Sequence, residues 1–107
     1  MNRRLLFFAI LSAGVLLEVA GDVFFKHWAE TEKRFILGIG FALYALGSVL
    51  WAWSLKFEDL SKAGTLFMLL NVVCIAVVGV VIFKERLSAM NVAGIALAMV
   101  SIYLLEA

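Results

Sequence analysis

The sequence predicts an all-α fold, a single domain of four transmembrane helices over residues 1–107. Three observations predict it. Hydrophobic residues make up 65% of the 107 and charged residues 16%, which is too little polar surface to cover a water-soluble fold. Four apolar runs each approach the roughly 20 residues that a helix needs to cross bilayer hydrocarbon. The charged residues gather between these runs, and the chain has no proline to break them.

The four spans are Leu5–Phe25, Phe35–Leu55, Ala63–Phe83 and Leu87–Leu105, and the last three contain no Asp, Glu, Lys or Arg. The opening Met1-Asn2-Arg3-Arg4 before an apolar run looks like a signal peptide. That reading is set aside, because the run carries Glu18 and Asp22 and is followed by three more of the same length. The links Lys26–Arg34, Lys56–Lys62 and Lys84–Arg86 are short, so neighbouring spans alternate up and down with both termini on one side. They leave no room for a soluble domain, and the expected location is the cell (inner or plasma) membrane, crossed several times.

Basic residues in short loops normally set orientation. One side carries Arg3, Arg4, Lys56 and Lys62, and the other carries Lys26, Lys33, Arg34, Lys84 and Arg86. Four against five is close to balance. Either one orientation wins by a small margin, or copies insert both ways and pair antiparallel.

Several function classes find no support. A net charge of +1 gives no basis for a nucleic-acid partner. One cysteine, Cys74, and one histidine, His27, provide no metal cluster or redox pair. No nucleophile–base pair or phosphate loop is present, so the reading is a non-enzyme with no cofactor and no metal.

Glu18 is the most informative residue. Inside a span, an ionised carboxylate costs about 2.5–3.5 kcal/mol on insertion scales, and such acids are functional by default. Asp22 follows at i+4 and Lys26 at i+8, which places all three on one helix face. That stripe should face a protein interior or a wet cavity. A carboxyl that can hold a proton, release it and then hold a cation meets the physical requirement for exchanging the two. The plainer alternative pairs Asp22 with Lys26 near the helix end and has Glu18 hydrogen-bond across helices.

Other polar and aromatic positions carry weaker signals. Asn71 in the third span could meet a substrate or Glu18, but a buried Asn more often ties two helices together. Phe67 and Met68 could line a cation site, with core packing as the default. Trp51 and Trp53 read as interfacial anchors, and His27 and Trp28 read as headgroup-zone residues. The fourth span is rich in small residues, and Gly94 and Ser101 share a face two turns apart. Small residues let helices approach in lipid, so this face is the expected dimer interface, with packing inside one subunit as the alternative.

These residues resemble the small multidrug resistance family of the drug/metabolite transporter superfamily. Leu17-Glu18-Val19-Ala20-Gly21 with Lys26 is similar to that family's first-helix motif around its essential glutamate. Phe83-Lys84-Glu85-Arg86-Leu87-Ser88 is similar to a third-loop motif shared across the superfamily, and Gly94 with Ser101 matches the small pair on the dimerising fourth helix. The resemblance implies an antiparallel homodimer that exchanges protons for small organic cations at its two glutamates. A paralogous small membrane subunit is the other partner it admits.

The sequence departs from the family at three places that bear on substrate. The positions of a third-helix Tyr and Trp read as Gly64 and Phe67, and a helix-kinking Gly reads as Asn71. Asp22 stands where a small or hydroxylated residue is usual. Two acids on one helix suit a polyamine as well as a drug or quaternary ammonium ion. The third span, Phe67-Met68-Leu69-Leu70-Asn71, also resembles short flippase subunits for polyprenyl-linked sugars. A non-transporting accessory subunit is the alternative outside transport.

Overall fold

The computed structural model describes residues 2–106. They form four helices: α1 (Arg3–Thr31), α2 (Arg34–Ser54), α3 (Leu60–Val81) and α4 (Ala89–Glu106). All four are long and apolar enough to cross a membrane. At about 1.5 Å per residue, α4 with its 18 residues spans roughly the thickness of bilayer hydrocarbon, and α1 with 29 overshoots it by two to three turns.

The overshoot of α1 is the main difference from the hydropathy reading, in which the first span ends at Phe25. Lys26–Thr31 carry Lys, His, Glu and Thr, but Lys, Ala and Glu are good helix formers, so the helix outruns its apolar segment. It stops where Glu32 turns into the left-handed region at φ 59°, its N–H donating to the Trp28 carbonyl at 2.6 Å. Only Glu32 and Lys33 separate α1 from α2.

The other ends are closed by local chemistry. Asn2 Oδ1 accepts from the Leu5 N–H at 2.7 Å and caps α1. At α4 the Asn91 N–H donates to Ser88 Oγ and the Ser88 N–H donates to Asn91 Oδ1, both at 3.1 Å. This reciprocal pair starts the helix at Ala89, two residues later than the apolar run begins.

Charged residues confirm the alternating course. Arg4 Nη2 meets Glu106 Oε2 at 2.6 Å, and Arg3 Nη2 donates to the Lys56 carbonyl at 3.0 Å. Both termini and the α2–α3 link therefore share one end. At the other end, Lys26 Nζ lies 3.8 Å from Glu85 Oε2, joining the end of α1 to the α3–α4 link.

Helix α1 is the centre of the bundle. On one side it meets α2 through four glycines, with Gly14 facing Gly47 and Gly21 facing Gly40. A Cβ on Gly47 would lie 3.1 Å from the Gly14 carbonyl oxygen, and one on Gly21 would lie 3.1 Å from that of Gly40. The backbones touch at two levels, two turns apart. On its other side α1 presents Phe7, Leu11, Val15 and Val19 to Ala63, Leu66 and Phe67 of α3. Leu11 and Leu66 are fully buried there. α4 packs mainly on α3 and buries only Ala98. The remaining surface carries large apolar side chains such as Phe41, Leu46, Met68 and Leu97, as a lipid-facing surface requires.

Candidate functional site

Glu18 projects from α1 between the two glycine contacts. Its Cγ lies 2.9 Å from where a Cβ on Gly47 would stand. The missing side chain on α2 is what makes room for the glutamate stem at such a tight crossing. The carboxyl end reaches a groove of about 850 Å³ that opens along its side. α1 and α2 contribute Glu18 and Tyr44 to its wall. α3 contributes Phe67, Met68, Asn71, Val72, Ile75 and Ala76. Met90, Asn91, Gly94 and Ile95 come from α4, with Leu87 just before it.

Glu18 is the one charged residue on that wall among the described residues, and the polar groups beside it are Tyr44, Asn71 and Asn91. Apolar walls leave its charge weakly screened and make the carboxylate a strong point of attraction for a cation. Methionine and aromatic rings around it offer polarisable, adaptable contacts to an organic ion.

Of the residues singled out from sequence, Glu18, Phe67 and Asn71 meet at this groove, and Gly94 lies on its α4 wall. Phe67 also belongs to the core, its ring 4.8 Å from that of Trp51. Trp51 is thus an interior packing residue, whereas Trp53 is exposed. Asn71 does not tie α3 to another helix of the chain. Its amide is 3.5 Å from the Phe67 carbonyl of its own helix, a long contact that leaves the side chain facing the groove.

Two other residues singled out from sequence, Gly64 and Asp22, lie off this groove. Gly64 is not on the groove wall; a Cβ there would face the Trp51 ring at 3.7 Å. It shares a helix face with Phe67, whose ring also meets Trp51. Asp22 shares a face with Glu18 but does not pair with Lys26. Tyr44 Oη donates to Asp22 Oδ1 at 2.5 Å, and Lys26 reaches Glu85 instead. Asp22 lines a separate, smaller cavity of about 160 Å³ with Lys26, Phe83 and Glu85.

At the expected dimer face, Gly94 has no atom within 4 Å of a built Cβ, so it makes no close packing within the chain. Ser101 Oγ donates to the Leu97 carbonyl at 2.9 Å, inside α4. Tyr44 and Asn91 are the residues the sequence reading passed over. Tyr44 was visible in principle, because Gly40, Tyr44 and Gly47 fall on one face of α2 at i, i+4 and i+7. Asn91 was visible as the third residue after a Ser that starts a helix.

Residues 3–107 of the sequence match the EamA-like transporter family. The chain belongs to that family. Neither the curated proteins nor the solved structures give a match. As an EamA-like member with four apolar helices, it is a multi-pass membrane transporter of the drug/metabolite transporter superfamily. The α3–α4 link, whose sequence resembles the superfamily's loop motif, is sharply folded. Lys84 takes φ 55°, and the Glu85 N–H returns to the Gly79 carbonyl at 3.0 Å. Glu85 Oε1 then sits 2.6 Å from where a Gly79 Cβ would be, so a side chain at 79 would displace that carboxylate.

Proposed function

We propose that this EamA-like protein is a proton-coupled antiporter of the small multidrug resistance type, exporting small organic cations across the cell's inner membrane. The observation that carries the reading is Glu18, the one charge on the wall of an apolar groove in mid-span. A carboxyl there holds either a proton or a cation, and each must leave before the other binds. That exclusion couples the two fluxes without any bond being made or broken in the substrate. The substrate class is a drug, quaternary ammonium ion or polyamine, and the working unit is an antiparallel homodimer or a pair with a paralogous small subunit.

The test is Glu18→Gln in liposomes with a pH gradient. The amide keeps the shape and hydrogen bonding but cannot titrate. Proton-driven uptake of a quaternary ammonium ion should be abolished while folding persists. Undiminished uptake removes Glu18 from the mechanism.

A second reading has support in one observation. The groove is open and not enclosed, as a bulky lipid-linked substrate would need. That favours a flippase subunit for polyprenyl-linked sugars, which predicts protection of the groove by polyprenyl phosphate and not by quaternary ammonium ions. A non-transporting accessory subunit predicts that Glu18→Gln changes nothing while fourth-helix substitutions abolish function.

A further inference from the structure

The smaller cavity lies one turn of α1 beyond Glu18, about 6 Å along the axis. Its polar members are Asp22 and Lys26 from α1 and Glu85 from the α3–α4 link, while α3 contributes only the apolar Ile75 and Val78. From α2, Tyr44 reaches Asp22. Tyr44 also lies on the wall of the Glu18 groove, so this one side chain links that groove to Asp22 of the smaller cavity. Asp22 Oδ2 is buried and has no hydrogen-bond partner among the described residues. Lys26 and Glu85 have side chains 49% and 50% exposed, so this side of the site reaches the outer end of the bundle. A space of about 160 Å³ has room for a few water molecules, whose share of liquid volume is roughly 30 Å³ each.

We propose that Asp22 is a second proton-carrying acid in series with Glu18, and that Tyr44 is the positioning residue that holds it between the groove and the outer end. The inference rests on the antiport reading and adds a route to it. A proton leaving Glu18 breaks an O–H bond there and forms one on Asp22. Glu18 is left as the carboxylate that takes the cation. The proton then passes from Asp22 to water at the Lys26–Glu85 end, restoring the Asp22 carboxylate. Tyr44 Oη occupies Oδ1, which leaves Oδ2 as the oxygen that accepts and releases the proton.

The series arrangement separates two modes of transport. Uptake driven by a pH gradient needs protons to travel the route. Exchange of labelled for unlabelled cation at equal pH needs only the groove. The full chain is reconstituted in liposomes and both modes are measured with tetraethylammonium. Asp22→Asn should lower driven uptake by about a hundredfold or more, the lower end of what a positioned proton carrier contributes, and affect exchange far less. Tyr44→Phe keeps the ring on the groove wall and removes the bond to Asp22. It should lower driven uptake by about ten- to a hundredfold, the weight of one hydrogen bond to a charged group. Unchanged driven uptake in Asp22→Asn overturns the inference, as does an equal fall in both modes, which marks a structural role. Loss in Glu18→Gln with none in Asp22→Asn leaves the antiport reading standing alone, and retention in Glu18→Gln overturns both.

Discussion

One methyl group at position 47 should push α1 and α2 apart and displace Glu18. In Gly47→Ala the new Cβ would lie 2.9 Å from Glu18 Cγ, 3.1 Å from the Gly14 carbonyl oxygen and 3.4 Å from Leu17 Cβ. Carbon pairs pack at about 3.5–4.0 Å, so the contact with Glu18 is short by about 0.6 Å or more. The glutamate can rotate away, but the Gly14 oxygen is backbone and retreats only if the helix moves. Overpacking of this kind costs about 1–3 kcal/mol. Alanine gains back about 0.5–1 kcal/mol over glycine in a helix interior. Gly38→Ala is the control, since a Cβ there meets nothing within 4 Å and takes only the gain. Thermal unfolding of both variants in detergent can be followed through the three tryptophans, alongside binding of a quaternary ammonium ion. Gly47→Ala should be the less stable by roughly 1–3 kcal/mol and should bind more weakly. If Gly47→Ala matches Gly38→Ala in both, the helices do not touch at this level and the account of how Glu18 is seated is wrong.

Two further outcomes concern assembly. Gly94→Leu and Ser101→Leu add bulk to the small face of α4, which nothing in the chain packs against at Gly94. Each should lower the crosslinked dimer fraction without impairing insertion, and no change in either variant moves the interface off α4. Reporters active on opposite sides of the membrane, fused to the C-terminus, should both give signal, because basic residues stand four against five on the two sides. Two lysines added to one side should leave a single signal, whereas one signal from the native chain excludes an antiparallel homodimer of this chain alone.

Hydropathy made the four helices legible because a membrane span is a demand on every residue in a window of about 20. It could not show where α1 ends, since the stop at Glu32 depends on a backbone turn and not on polarity. Glu18 was legible because an acid in hydrocarbon is costly wherever it points. The direction of Asp22 was not, because a shared helix face fixes a sector of roughly a quarter turn. Within that sector a neighbour such as Tyr44 decides the partner. Gly40 and Gly47 lie seven apart on one face of α2, but only the fold shows that α1 occupies that face.

The two-residue turn at Glu32 and Lys33, the glycine contacts and the Tyr44–Asp22 bond make α1 and α2 a single stiff arm. α4 joins the rest chiefly through α3, so the second pair of helices forms a looser arm. Glu18 and Tyr44 stand on the first arm, and the rest of the groove wall stands on the second. The width of the groove is therefore the gap of a pair of jaws. On the proposed antiport reading, an organic cation in the groove would touch both walls at once. On the same reading a proton on Glu18 would touch only the first.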